Sequence, residues 1–492
     1  MVKIIIVGSG FGGLSAAALL AKQGHDILVL EKNEQPGGRA AMFHEKKFKF
    51  DAGPSWYLMP DVFEKFYAKF DTTPERELDL KLLNPSYRMF FHDSKVDITP
   101  NIDETYALFE SLEPGSSKRL KLYLERAKYQ YDVAMREFIY KEYNKLSDFF
   151  SFKLLVEGSK LNVFQNLDKY VSSNFESDKI KKILEYTMVF LGGAPKNTPA
   201  LYSIMSHIDF NMGVFYPKGG LNAVAISIYN IARKLGVKFK FNEPVEKIVS
   251  EKGRAKKVVT NVDSYSADIV VSNADYHHTE MNLLHEKDRS YSKKYWDTRI
   301  IAPSAFIMYL GLNKKIKGLE HHNLFLENDW MHHFNQLFKE KKWPDAPSYY
   351  VCCPSKTDDS VAPSGKENLF VLVPVASGLR DSPEIREMYK NKILKNMEET
   401  LKVKLINHIE VLKIFAHADF AARYNSFKGT ALGLSHTLFQ TAIFRPKQKS
   451  KKLKNLYYAG QYTHPGIGVP MVIISSEILV RRIENDIKKN NI

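Results

Sequence analysis

The stretch that most restricts the fold lies at the N-terminus. Val2 to Val7 is short, continuous and β-branched, the pattern of a strand buried on both faces. It runs into Gly8-Ser9-Gly10-Phe11-Gly12-Gly13 and then into Leu14 to Gln23, a run of strong helix formers ended by Gly24. A second apolar strand, Asp26 to Leu30, delivers Glu31 at its end. Strand, glycine turn, helix, strand and acid, in that order, predict a βαβ unit built to hold a dinucleotide. Gly8 makes the tight turn, Gly10 lets the backbone approach a pyrophosphate, and Gly13 lets the helix lie close to the strand. The free N–H groups at the helix start face the phosphates. Glu31 can accept hydrogen bonds from an adenosine ribose, and its charge argues against a 2′-phosphate. These residues alone leave NAD and FAD both open.

A length of 492 residues exceeds one simple core and predicts two or three domains. The two cysteines, Cys352 and Cys353, are adjacent, so neither a disulfide framework nor a cysteine-based metal site is expected. The pairs His277-His278, His321-His322 and His332-His333 are not expected to bind metal, because neighbouring side chains diverge on strands and helices. No secretory leader is legible, and no apolar run reaches the roughly 18–20 residues of a spanning helix. The net charge of +15 comes with no nucleic-acid recognition motif, so no nucleic-acid partner is expected. Attraction to an anionic lipid surface fits that charge. The densest basic cluster, Arg445 to Lys454, reads on its own as a loop kept soluble by its charge.

Other segments build on the first unit. Gly37-Gly38-Arg39 offers close backbone approach and a charge-assisted contact to phosphate. Phe215 to Leu221 precedes a predicted helix over 222–235, and Gly236 to Val245 reads as a strand and turn. Ala267 to Asp275 is a buried strand with a polar end. Near the C-terminus, Asn455 to Gly460 reads as a short strand, and a helix is expected from about Met471 to Asp486, with Pro470 suited to its first turn. One stretch fits no regular element. Phe48 to Phe63, FKFDAGPSWYLMPDVF, crowds aromatic and apolar residues around the turn Gly53-Pro54-Ser55-Trp56.

With these stretches assembled, the chain resembles the bacterial-type phytoene desaturases, FAD-dependent carotenoid desaturases on the amine-oxidase-like flavoprotein fold. The resemblance spans nearly the whole chain. It is carried by Gly8–Gly13 with Glu31, Gly37-Gly38-Arg39, Phe50 to Ser55, Phe190 to Gly193 and Pro217 to Gly220. It continues through Arg423 to Ser426 with Gly429 and Gly433, and Phe444-Arg445-Pro446. Its most specific part is Thr463-His464-Pro465-Gly466 with Gly468-Val469-Pro470. Relatives commonly place Gly where this chain has Met471.

The resemblance implies FAD as cofactor and an α/β fold: a discontinuous Rossmann-like FAD-binding domain with a substrate domain of mixed sheet plus helices. Residues 1–70, 211–280 and 421–492 are assigned to the first, and 71–210 and 281–420 to the second. Gly8, Gly10, Gly12, Gly13, Glu31 and Arg39 would hold the adenosine diphosphate, with Phe11, Lys32 and Gly38 beside them. Val245 would touch the adenine, and Gly460, Gly468, Val469, Pro470 and Met471 the isoalloxazine end. Gly53, Pro54 and Ser55 would lie beside the ring, with Trp56 to Met59 lining the hydrocarbon side.

The implied reaction is desaturation of a long polyisoprenoid, phytoene to lycopene by successive steps, with quinone or oxygen as electron acceptor. A flavin takes one hydrogen as hydride, and the allylic cation left behind loses a proton easily, so no strong base is required. No acid–base pair stands out; His464 is the one flavin-proximal candidate for catalysis, and Asp51 is equally suited to anchoring the turn. The substrate path is expected along Phe149–Phe152, Leu154–Val156, Met188–Leu191 and Ile300–Leu312. Amphipathic helices in 135–170 would rest on a membrane, placing the protein in the cytoplasm at the inner face of the cell membrane. A dehydrosqualene desaturase, carotenoid isomerase or carotenoid oxidase, a flavin amine oxidase, and a non-enzymatic prenyl-binding escort are the alternatives.

Overall fold

The computed structural model describes residues 1–141 and 165–490, with the side chains of Phe190 and Leu438 excepted. The expected path residues 149–152 and 154–156, and most of the 135–170 segment, lie outside the described residues.

The N-terminal strand Lys3–Val7 is central in a five-stranded parallel sheet. Its neighbours are Asp26–Leu30 and then Lys238–Lys240 on one side, and Ile269–Ser272 and then Leu456–Tyr458 on the other. Side chains alternate across the pleat. Ile4, Ile6, Ile27, Val29, Ile269 and Val271 point to one core, which is covered by the helices Phe11–Lys22, Leu221–Lys234 and Val469–Lys488. Ile5, Val7, Leu30 and Val270 point to the other, which is closed by the antiparallel strands Val245–Glu251, Arg254–Thr260 and Ser264–Ser266. The first helix ends as its sequence requires: Gly24 has φ +85° and donates its N–H to the carbonyl of Ala21. All five parallel strands fall within 1–70, 211–280 and 421–492.

A second, seven-stranded mixed sheet draws only on residues 71–210 and 281–420. Its order is Ile409–Phe415, Ser304–Leu312, Glu367–Val375, Tyr349–Cys352, His322–Phe325, Tyr87–Phe90, Lys95–Ile98. The long strand Ser304–Leu312 corrects the reading of 300–312 as one lining segment. Phe306, Met308 and Leu310 pack against Tyr389, Ile393 and Met397 of the helix Pro383–Leu401, on the side turned away from the main interior space. Only the alternate residues Ala305 and Ile307, with Pro303 and Ser304 before them, reach the interior space, and Ile300 is exposed.

The basic stretch 445–454 is not simply a solvated loop. The guanidinium of Arg445 is buried, and it donates to the carbonyls of Leu434, Gln440, Gln461 and Tyr462. Gln448 and Ser450 are buried as well, and Lys449 pairs with Asp486 at 2.8 Å. Four carbonyl dipoles take the place of a counter-ion and clamp 434–445 onto the loop at 461–462. Desolvation lowers the Arg445 pKa to about 10, which leaves it charged at neutral pH.

The candidate flavin and substrate cavity

One cavity of about 1000 Å³ opens where the two sheets meet. This is the upper end of the range of about 300–1,000 Å³ for single-ligand sites. Its two ends differ in chemistry.

At one end are Gly8, Gly10, Phe11, Gly12, Glu31, Lys32, Gly38, Arg39 and Val245. Gly13 lies behind them: a Cβ there would stand 2.0 Å from the carbonyl oxygen of Gly8. The first-turn N–H groups of the helix Phe11–Lys22 have no helical acceptors and face this space. Gly460, Gly468, Val469, Pro470 and Met471 line the same cavity, so the N-terminus of the helix Val469–Lys488 opens onto it too. Two helix N-termini converging on one glycine-rich cleft form a site for anionic groups.

Asn273 holds this end together, and the sequence reading passed over it. Its Nδ2 donates to the carbonyl of Ala459 at 3.1 Å. A Cβ on Gly12 would lie 2.4 Å from Nδ2, one on Gly460 2.9 Å from Nδ2, and one on Gly10 3.0 Å from Oδ1. The N-terminal and C-terminal glycines are therefore packed on a single amide. A signal was present: Asn273 is the polar residue after a buried parallel strand, the position where α/β sheets place ligand contacts. Asp275, two residues on, accepts from the hydroxyl of Tyr462 at 2.8 Å, and burial raises its pKa.

Several predicted contacts have protein partners as well. Glu31 is buried, and its carboxylate is oriented by Ser9 N, Ser9 Oγ, Asn33 N and Asn33 Nδ2, all within 3.0 Å. Lys32 Nζ donates to the carbonyl of Ala422 at 2.7 Å and to Asn425 Oδ1 at 3.2 Å. Burial lowers its pKa. Arg39 donates to Gln461 Oε1 at 3.0 Å and Ser426 Oγ at 2.6 Å and lies over the ring of Tyr424. Its Nε is buried without a partner among the described residues, an open donor on the cavity wall. Unfilled amides, an unmet guanidinium N–H and glycines whose Cβ positions are already taken fit a dinucleotide diphosphate.

The turn Gly53–Ser55 forms the junction between the two ends. A Cβ on Gly53 would sit 2.7 Å from the carbonyl oxygen of Arg39, so backbone packs on backbone there. Asp51 anchors the turn: it accepts from the N–H groups of Leu221 at 2.8 Å and Asn222 at 3.2 Å, capping the helix Leu221–Lys234. Burial raises its pKa to about 7. Ser55 Oγ is engaged with Tyr350 Oη at 2.8 Å. Trp56 stacks on His322, with ring centroids 4.1 Å apart.

Beyond this turn the walls are apolar: Val189, Leu191, Met205, Ile307, Leu326 and Leu372 are among them. Of the expected path 188–191, Val189 and Leu191 reach the cavity, whereas Met188 is sealed in the core. His464 lines the cavity, and its Nε2 hydrogen-bonds the carbonyl of Ile139 at 3.0 Å. Desolvation lowers its pKa to about 4, so at neutral pH it is a neutral ring donating to a carbonyl rather than a poised base. The histidine pairs divide. His277 stacks on Phe427 while His278 meets Asn425, and His332 is on the surface while His333 is buried. His321 and His322, against expectation, stay together: His321 precedes the strand His322–Phe325, so pleat alternation does not separate them.

The flavin containing amine oxidoreductase family profile matches residues 11–483. A carotenoid 3,4-desaturase from Haloarcula japonica is 46% identical over 486 residues, covering 98% of each chain. A 4,4′-diapophytoene desaturase (4,4′-diaponeurosporene-forming) from Staphylococcus haemolyticus is 33% identical over 497 residues, covering 99% of each. Among solved structures, a putrescine oxidase superposes with a TM-score of 0.63 at 13% identity over 99% of both chains, a likeness of fold. The chain belongs to the flavin containing amine oxidoreductases and, within them, to the carotenoid desaturase group of FAD-dependent oxidoreductases.

Proposed function

We propose that this enzyme desaturates a carbon–carbon single bond of a long acyclic carotenoid, at a position adjoining an existing polyene. The observation that carries this reading is the continuity of the apolar tunnel with the glycine-rich end across Gly53–Trp56. A hydrocarbon chain gains about 0.8 kcal/mol per buried CH₂ and asks for no hydrogen bonds, which matches these walls. The relative at 46% identity favours a 3,4-desaturation near a chain end. Conversion of phytoene to lycopene is the second reading, supported by the diapophytoene desaturase at 33%.

Bound FAD supplies the hydride acceptor. The chain's own residues do the rest. Asn273 and the glycines fix the cofactor end, Asp51 and Arg39 set the turn beside it, and the apolar walls align the substrate and exclude water. Proton loss from an allylic cation needs no strong base, in keeping with a neutral His464. The electron acceptor is a quinone or oxygen. Substrates of this kind reside in bilayers, and among the described residues no helix is long and apolar enough to cross one. Phe439 and Phe444, 71% and 46% exposed, project beside the cavity-lining segment Thr441–Phe444, near exposed Ile300. This apolar rim, on a chain of net charge +15, suits peripheral contact with the inner face of the cell membrane.

The test is made on purified protein with FAD and liposomes carrying either phytoene or lycopene. A red shift of the lycopene spectrum supports end-of-chain desaturation. Colour appearing from phytoene supports the second reading. A flavin-loaded enzyme that leaves both unchanged but releases peroxide with amines overturns both.

A further inference from the structure

Behind Trp56, outside the cavity, three side chains converge on one buried point. One ring nitrogen each of His321 and His322, together with Cys352 Sγ, lies within 4.8 Å of the others. All three residues are buried. Cross-strand pairing sets His322 opposite Cys352, and the N–H of Cys353 donates to the carbonyl of His321, which draws His321 to the same place.

The hydrogen bonding is asymmetric. His321 Nδ1 pairs with Thr357 Oγ1 at 2.8 Å, and His322 Nδ1 with Tyr350 Oη at 2.6 Å. Among the described residues, both Nε2 atoms are buried without a partner. Buried polar atoms in native folds nearly always find one. An imidazole that ligates a metal through one nitrogen characteristically donates the other N–H to an oxygen, which fixes its tautomer. Both rings here have that outer partner and lack the inner one.

We propose that His321 Nε2, His322 Nε2 and Cys352 Sγ bind a thiophilic d¹⁰ metal ion, Cu(I) or Zn(II). Metal–nitrogen bonds of about 2.0 Å and metal–sulfur bonds of about 2.3 Å put ligand atoms roughly 3.5–3.8 Å apart, so binding would draw together side chains whose donor atoms now lie within 4.8 Å of one another. The donor set has no carboxylate. Asp358, the acid whose charge acts on His321, is committed to Gly219 N, Tyr216 Oη and Ser360 N. One thiolate then balances Cu(I) fully, whereas Zn(II) would leave a buried positive charge and an unfilled fourth position; Cu(I) is favoured. Binding releases the thiol proton and involves no change of oxidation state. Burial pushes the Cys352 thiol up to about 12, so the metal must displace that proton. The ion would tie the strand Tyr349–Cys352 to the 321–322 corner and, through Tyr350 and Ser55, brace the turn at the junction of the cavity.

The site is closed, so loading is tested during synthesis. The full chain is expressed in cells given copper or zinc, purified under anaerobic conditions, and its metal and flavin contents are measured together. About one copper ion per flavin-containing chain is expected, lost in Cys352→Ser and in His322→Gln. Thr357→Val and Tyr350→Phe, which keep the ligands, should weaken retention against a competing chelator by about 10–100-fold. One zinc ion and no copper would overturn the charge argument while upholding the site. Flavin-replete wild-type protein with neither metal, or metal content unchanged in both ligand variants, overturns the proposal.

Discussion

The two ends of the cavity are built on opposite principles. At the glycine end, the wall is backbone and one amide packed without slack: Gly13 leaves no room for a Cβ, and Gly10, Gly12 and Gly460 press on Asn273. At the apolar end, contacts come from side-chain methyls of Ile307 and Leu372, on a sheet whose register is set elsewhere, and of Leu326 just past the end of the strand His322–Phe325. The first end demands particular residues because a cofactor's charges must meet fixed N–H groups. The second demands only volume and apolarity, which many side chains provide. A damaged glycine end should therefore lose the cofactor, and a damaged apolar end should lose only substrate fit.

The largest effect is expected from Gly13→Ala. Its Cβ meets a backbone oxygen that cannot rotate away, so flavin content should fall to near zero and activity by at least about 100-fold, equivalent to about 2.7 kcal/mol. Flavin absorbance per chain, with circular dichroism as a folding control, measures it; a flavin-replete Gly13→Ala protein would break the comparison. Asn273→Ala removes one hydrogen bond and the surface that several glycines pack on. A loss of about 1–2 kcal/mol predicts roughly 5–30-fold weaker FAD binding, read by quenching of FAD fluorescence during titration.

Leu326→Ala probes the other end. Flavin content should remain at the wild-type level, while KM for the polyene rises roughly 5–30-fold as apolar contact is lost. Flavin loss in this variant would erase the distinction between the ends. The smallest effect concerns the junction. The folded pKa of Asp51, raised to about 7 from an ordinary 3.8, means that unfolding releases a proton between those values. Its contribution to stability therefore falls as pH rises from about 4 to about 7. Asp51→Asn should flatten that part of the Tm–pH curve by roughly 2–4 °C, as followed by calorimetry; an unchanged slope would show that Asp51 does not titrate there.

Much of the glycine end was legible in the sequence. Gly8–Gly13, Glu31 and the 468–471 segment announce themselves because left-handed or close-packed backbone excludes other residues: Gly8, Gly460 and Gly468 have φ of +93°, +117° and +113°. The apolar end was legible only in composition. Residues 300–312 are mostly apolar, yet only some of them reach the cavity, because a strand buried on both faces shows no periodicity to reveal which face is which. The basic stretch 445–454 misled for a related reason. Charge predicts solvent exposure, but an arginine can be buried when carbonyls are arranged around it, and that arrangement comes from how the flanking loops at 434–440 and 461–462 fold back on it.

By itself, then, the sequence determined the parallel sheet, the dinucleotide turn and the helix ends, since these depend on local backbone geometry and on the period of apolar residues. Tertiary structure alone decided that one amide, Asn273, would seat glycines from both ends of the chain, and that Asp51 would cap a helix 170 residues away. It also brought His321, His322 and Cys352 to one buried point. Such pairings follow from how sheets and loops pack across long sequence separations, a relation no local pattern of residues encodes.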